Sequence, residues 1–244
     1  MQIGKKYLMN NITIGNGLMA KAFINSSANN CLFFCSGVSN SNENNKDGFF
    51  REKKLLQGII SCHQNKIFIY FSSILAASEE NAYYKHKLEM ESIVSSSTPK
   101  YLILRLPQVA GRVLNNTLLP SFINDIYYGK IITIYKHAKR AIIDVDDVVK
   151  IVDFLIDQDI NNEILNICPG YSFSPLELLE LISIEMGVKL KYKIINKYSM
   201  QQCKSADILH NVDLPWLLDD SSKYLQSIVK KYTNEIINLI TNKM

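Results

Sequence analysis

Ile67-Phe-Ile-Tyr-Phe-Ser-Ser73 is an apolar run ending in two hydroxyls, and Asn81-Ala-Tyr-Tyr-Lys-His-Lys-Leu-Glu-Met-Glu91 follows it closely. The first run reads as a buried strand of a parallel sheet. Ser72 and Ser73 then stand at its C-terminal end, where open α/β sheets bind ligands. The second stretch reads as a helix, and the four-residue spacing of Tyr83 and Lys87 puts a phenol and an ammonium on one face. A hydroxyl, a phenol and an ammonium gathered at a strand end can move a proton on and off a sugar or alcohol oxygen. A phenol with a pKa of about 10 is a poor base at neutral pH, but a fixed positive charge nearby favours phenolate. The spacing alone also describes an ordinary surface Tyr/Lys pair, so the rest of the chain must carry weight.

Upstream, Ile12-Thr-Ile14 is a short strand running into Gly15-Asn-Gly-Leu-Met-Ala20, and a helical pattern continues through Ile24. Strand, glycine turn and helix together form the context in which Gly-x-Gly-x-x-Ala suggests a pyrophosphate site. A second strand, Cys31-Leu-Phe-Phe-Cys35, ends in the polar stretch Ser36-Gly-Val-Ser-Asn-Ser-Asn-Glu-Asn-Asn45, expected to be a mobile loop. A helix is expected from about Phe49 to Ser61, and the Tyr83 helix to about Val94, with a break at Thr98-Pro99. Tyr101-Leu-Ile-Leu104 is another buried strand. Strands alternating with helices predict a parallel sheet covered on both faces.

The second half changes character. Helix is expected over Leu118 to Tyr128, a strand at Ile131–Ile134, and Ala141-Ile-Ile-Asp-Val-Asp-Asp147 leads into a helix through Ile156. Asn162–Cys168 and Lys189–Ile195 read as strands. Ser174-Pro-Leu-Glu177 is a capping box closed downstream by Gly187. Ser222–Ile240 is amphipathic, with Leu225, Ile228, Val229, Tyr232, Ile236 and Ile240 at helical spacing.

The 244 residues are 47% apolar and 20% charged, enough for one sizeable core and a second small lobe. Net charge is +4 with scattered basic residues, which speaks against a nucleic-acid partner. No apolar run of transmembrane length and no secretory pattern is seen, so no membrane insertion is expected. Five cysteines (Cys31, Cys35, Cys62, Cys168, Cys203) show no metal-ligand spacing, so no metal is expected; scattered thiols suit a reducing cytosol. The residues before Met9 match nothing downstream, leaving either an alternative start at Met9 or a short strand extension.

These blocks, in this order, resemble the extended short-chain dehydrogenase/reductase family, the NAD-dependent epimerase/dehydratase type that acts on nucleotide sugars. Besides the glycine turn, Phe-Ser-Ser and Tyr-x-x-x-Lys, the resemblance includes Leu-Arg-Leu-Pro-Gln-Val-Ala-Gly (104–111), Lys-Arg-Ala-Ile-Ile-Asp-Val-Asp-Asp (139–147) and Asn-Glu-Ile-Leu-Asn-Ile (162–167). It implies an α/β fold with a Rossmann-like domain over 1–107 and a mainly substrate-binding α/β lobe over 108–244, some segments returning to the Rossmann sheet. It implies Tyr83 as acid/base, Ser73 bonding the reacting oxygen, and Lys87 holding a nicotinamide ribose while depressing the Tyr83 pKa. Gly15, Gly17, Ala20, Ser72 and Pro107 would join Tyr83 and Lys87 around NAD or NADP; Gln108 and Arg140 would meet the sugar nucleotide, Arg140 from across a cleft. The implied activity is epimerisation or 4-ketoreduction of a nucleotide-diphosphate sugar for surface-polysaccharide precursors, in the cytoplasm, by a homodimer formed through the 49–61 and Tyr83 helices.

The chain also departs from that pattern. Its glycine turn is shorter than Gly-x-x-Gly-x-x-Gly, and the family's second and third strands have no counterpart. Arg51 and Glu52 stand where a catalytic-type Asn is expected, and Ile74 and Leu75 replace the Asp-Glu pair of sugar 4,6-dehydratases. The alternative reading is a non-catalytic nucleotide-binding protein, a sensor or assembly factor, that kept the fold.

Overall fold

The structure is a computed structural model that describes residues 11–41, 43–77, 81–200, 209 and 221–242. The question of a strand before Met9 lies outside these residues. In chain order the first elements are β1 (Ile12–Ile14), α1 (Leu18–Ala22), β2 (Cys31–Phe34), α2 (Lys46–Cys62), β3 (Ile67–Ser73), α3 (Ala82–Ser97) and β4 (Tyr101–Leu106). There follow β5 (Gln108–Ala110), α4 (Leu118–Tyr127), β6 (Ile132–Lys139), β7 (Ile142–Asp144), α5 (Val145–Asp157), β8 (Glu163–Asn166), α6 (Pro175–Met186), β9 (Tyr192–Met200) and α7 (Ser221–Thr241). They form two compact units. One comprises the described residues up to Arg105 together with Val149–Leu165, the other Leu106–Val148 and the described residues from Asn166 on.

The first unit is built on a five-stranded sheet in the order β1-β2-β3-β4-β8. β1 and β2, and β2 and β3, run parallel, with Leu32 opposite Phe68 and Phe34 opposite Tyr70. Among the described residues β1 is an edge strand, as expected of a Rossmann-like sheet without its second and third strands. Alternate side chains go to opposite faces. Leu32, Phe34, Phe68 and Tyr70 pack with Leu56 and Ile60 of α2 and Met90 and Val94 of α3. On the other face the Phe23 ring lies 4.5 Å from Phe33 and 5.2 Å from Phe71. Each such side chain contributes about 1.5–3 kcal/mol when fully buried, so the alternation fixes the sheet's register as well as its stability.

Caps set where the two helices behind the sheet begin. The Asn45 side chain accepts from the Asp47 amide, and Asn81 accepts from the Tyr84 amide, so α3 starts one residue before Tyr83. Thr98 ends α3 in extended backbone, the conformation a following proline demands. The 36–45 segment, expected to be mobile, is pinned at two points: Val38 N–H donates to Glu52, and Asn81 donates to the Ser41 carbonyl.

In the second unit, β6 and β9 pair in parallel, β6 packs against α4 and α6, and α7 packs against those two helices; β5 and β7 form another parallel pair. Ser174 caps α6 through the Glu177 amide, and Gly187 closes it at φ +66°. The apolar stripe on α7 is core: Leu225, Ile228, Val229, Tyr232, Ile236 and Ile240 are buried. The Asp-rich turn at β7 and the start of α5 anchors this helix. The Tyr232 hydroxyl donates to Asp144 at 2.6 Å, Tyr224 donates to Asp147 at 2.7 Å, and Lys231 bridges Asp144 and Asp146. Cys31, Cys35 and Cys62 are free, whereas Cys168 is disulfide-bonded, a departure from the expectation of scattered thiols.

Candidate active site

A buried carboxylate organises the C-terminal end of the sheet in the first unit. Glu52, on the stripe of α2 that also buries Leu56 and Ile60, is 0% exposed and receives four donors. Its Oε1 accepts from the Tyr70 hydroxyl at 2.8 Å and from Lys87 Nζ at 3.2 Å; its Oε2 accepts from Val38 N–H at 2.6 Å and lies 3.0 Å from His86 Nε2. Burial alone would raise this carboxyl's pKa. The His86 bond, the Lys87 charge, the Val38 amide and the Tyr70 hydroxyl outweigh it and hold the pKa down to about 2. The Glu52 carboxyl is therefore ionised at every physiological pH.

Lys87 is 2% exposed and also donates to the Tyr70 hydroxyl at 3.1 Å. Desolvation lowers its pKa, and Glu52 opposes that shift. Gly37 lies directly against the pair: a Cβ there would stand 2.9 Å from both Glu52 Oε1 and Lys87 Nζ. Tyr83, in the first turn of α3, is 8% exposed, its ring centroid 5.7 Å from Lys87 Nζ. Among the described residues its hydroxyl has no hydrogen-bond partner. The expected depression of this phenol is reversed: burial first, then Tyr84 and the Glu52 charge, push its pKa above the ordinary tyrosine value. The Lys87 charge does not prevail because Glu52 compensates it.

The two serines at the end of β3 part company. Ser72 points to the α3 side and donates to Glu91 at 2.5 Å, a carboxylate also gripped by Arg105 at 3.0 and 2.6 Å. Ser73, half-buried, accepts only weakly from the Leu75 amide at 3.3 Å. At the glycine turn, Gly15 has φ +127° and sits so near the Cys35 carbonyl that a Cβ would meet it at 2.7 Å. Gly17 is exposed, a Cβ there would meet nothing within 4 Å, and Ala20 is buried. Burial pushes the Cys35 thiol up to about 12, away from the range of a reactive thiolate.

Pro107, Gln108 and Arg140 belong to the second unit. There β5 and β7 bring two of them together: the Gln108 amide donates to the Ala141 carbonyl, adjacent to Arg140. Arg140 pairs with Phe173 through backbone bonds in both directions and donates from its guanidinium to the Lys139 carbonyl. Glu52, Tyr70, His86 and Glu91 are site residues that sequence reasoning did not assign. The available signal was position: Glu52 falls at i, i+4, i+8 with Leu56 and Ile60, on a stripe that should be apolar. Among the described residues no group of acidic, His or Cys side chains is arranged to hold a metal, and no helix is long and apolar enough to cross a membrane.

The Rossmann-like sheet carries a Ser-Ser strand end and, behind it, a Tyr-x-x-x-Lys helix. Residues 65–168 match the NAD dependent epimerase/dehydratase family. The fold is that of short-chain dehydrogenase/reductase epimerases: UDP-glucose 4-epimerase from Bifidobacterium longum, in complex with NAD+ and UDP, superposes with a TM-score of 0.68 at 16% identity, over 84% of this chain and 76% of that one. UDP-glucuronic acid 4-epimerase from Bacillus cereus, in complex with NAD, gives 0.68 at 15% identity, over 92% and 78%. RMD from Pseudomonas aeruginosa, complexed with NADPH, gives 0.63 at 17% identity, over 84% and 82%. No curated protein matches the chain in sequence.

Proposed function

We propose that the chain is an NAD(P)-dependent epimerase or 4-ketoreductase of a nucleotide-diphosphate sugar. The observation that carries this reading is Tyr83: a buried phenol at the end of a Rossmann-like sheet whose hydroxyl has no partner among the described residues. A buried hydroxyl without a partner costs about 1–3 kcal/mol, a penalty relieved when a substrate oxygen arrives. Ser73, whose hydroxyl accepts one weak bond, would hold that same oxygen. The open backbone at Gly17 leaves room for a pyrophosphate, and one of three Lys87 donors remains for a ribose hydroxyl. When bound, a nicotinamide would supply or take up hydride; the chain's own residues would orient the sugar and move the proton. Gln108 and Arg140 would serve the sugar diphosphate, a role suited to a guanidinium fork. The proteins it resembles bind NAD, NADPH and UDP, which supports a nicotinamide and a sugar nucleotide here. A role in surface-polysaccharide precursor synthesis in the cytoplasm fits this chemistry.

One observation favours a second reading, a non-catalytic nucleotide sensor or assembly protein. The Lys87 ammonium is committed to Glu52 and Tyr70 and almost wholly buried. Calorimetric titration with NAD(H) and NADP(H), followed by a sugar-nucleotide panel, separates the two. Binding with turnover supports the enzyme; binding without turnover on any sugar nucleotide supports the sensor.

A homodimer through α2 and α3 belongs to the same proposal. Phe50 is 68% exposed, Leu88 of α3 is exposed too, and Phe50, Arg51, Lys54, Leu55, Gly58 and Ile59 line an apolar groove along α2. A monomer mass by light scattering at micromolar concentration would contradict it.

A further inference from the structure

We propose that Glu52 is a positioning residue: by committing Lys87 to an internal ion pair it leaves Tyr83 a proton donor, so that the site works toward ketone reduction. This rests on the enzymatic reading above and adds a direction to it. All four bonds of Glu52 are internal, two to each oxygen, so the carboxylate is held in place from α2, β3, α3 and the Val38 loop at once. Lys87 Nζ sits 3.2 Å from that carboxylate and 5.7 Å from the Tyr83 ring centroid. The Glu52 charge acts on Tyr83 as well and favours the neutral phenol, so the carboxylate offsets the ammonium's field there. Tyr70 comes from β3, and Tyr84, His86 and Glu91 from α3; Arg105 of β4 is spent on Glu91 at 2.6 Å. Burial, Tyr84 and Glu52 all hold Tyr83 in its neutral form.

A neutral phenol gives a proton but does not accept one. In reduction, the carbonyl carbon gains hydride from a reduced nicotinamide, which is oxidised in the same step. The carbonyl π pair moves to oxygen, the oxygen takes the Tyr83 proton, and the phenolate left beside Lys87 is reprotonated from solvent. Epimerisation through oxidation must begin in the opposite sense, with a phenolate taking a proton from a sugar hydroxyl. The Glu52–Lys87 pair withholds that starting state.

The test is a tyrosinate absorbance titration of the free protein, which needs neither cofactor nor substrate. Wild type minus Tyr83→Phe should show no one-tyrosine step below about pH 10. Glu52→Gln, which leaves the Lys87 charge uncompensated, should gain such a step, and Glu52→Gln/Tyr83→Phe should lose it. Identical titrations of wild type and Glu52→Gln overturn the role of Glu52. Should Glu52→Gln not fold, wild type against Tyr83→Phe still decides, because a Tyr83 step near neutral pH overturns it. The direction is read separately, from 4-keto-sugar nucleotide plus NAD(P)H against UDP-hexose without reductant. Ketone turnover at least about tenfold faster supports it; comparable rates overturn the direction and leave the enzymatic reading standing. No turnover on either overturns both that reading and the direction.

Discussion

The Lys87 ammonium and the Glu52 carboxylate meet at 3.2 Å directly beneath Gly37, where a methyl group would stand 2.9 Å from each. Both side chains are tied by further hydrogen bonds and cannot swing aside freely. Gly37→Ala should therefore cost about 1–3 kcal/mol, the usual range for overpacking. The control is Gly58→Ala, in the interior of α2 with nothing within 4 Å. That change should stabilise by about 0.5–1 kcal/mol. Thermal melts of the two variants should move in opposite directions.

Acid should weaken the first unit through Glu52. Its folded pKa of about 2 lies below its unfolded value of 4.5. The carboxylate's stabilisation is thus full above pH 4.5 and is lost as pH falls from there through about 2. The contribution is roughly 3 kcal/mol. In Glu52→Gln this window should flatten while neutral-pH stability falls, because Lys87 is left as a buried uncompensated charge. Denaturant melts at a series of pH values check both.

The glycine turn separates folding from binding. Gly15→Ala combines a φ of +127° with a clash against the Cys35 carbonyl, so it should cost about 1–3 kcal/mol with or without ligand. Gly17→Ala meets nothing and should melt like wild type. If a pyrophosphate approaches that backbone, Gly17→Ala should nevertheless weaken nicotinamide binding; unchanged affinity by calorimetry would remove Gly17 from the site.

Most of the sheet is legible because its strands are continuous apolar runs, and α6 because the Ser174 capping box announces its start; α2 begins at Lys46 behind its Asn45 cap, ahead of the expected Phe49. The short strands β5 and β7 are not legible, since neither stands alone between turn residues as β1 does before its glycine turn: β5 follows β4 across one proline and β7 runs directly into α5. β6 runs on to Lys139 through Lys136 and His137 because β9 pairs with it, not because those side chains are buried. Within the candidate site, the closeness of Tyr83 and Lys87 is legible from their spacing. Glu52 was not: a charged residue in a helix reads as a solvated face until its partners from β3, α3 and the Val38 loop are seen together. The upward shift of the Tyr83 phenol is not legible for the same reason, since a cation four residues away says nothing about the burial and the carboxylate that oppose it.

Ligand binding should divide by residue. If Arg140 holds a sugar diphosphate, Arg140→Ala loses charge-assisted bonds of about 1.5–3 kcal/mol, roughly ten- to a hundredfold in affinity. Nicotinamide affinity should be nearly unchanged in that variant. Lys87→Ala should do the reverse. Equal losses of both ligands in both variants, measured by calorimetry, would contradict the assignment.

The central claim is that Tyr83 transfers the proton. The direct measurement is turnover of 4-keto-6-deoxy sugar nucleotides with NADH or NADPH, comparing wild type with Tyr83→Phe. Proton transfer by a positioned side chain is worth about a hundred- to ten-thousandfold. The account predicts that Tyr83→Phe loses kcat on that scale while retaining cofactor affinity, since only the hydroxyl is removed. Wild-type turnover in Tyr83→Phe would contradict it.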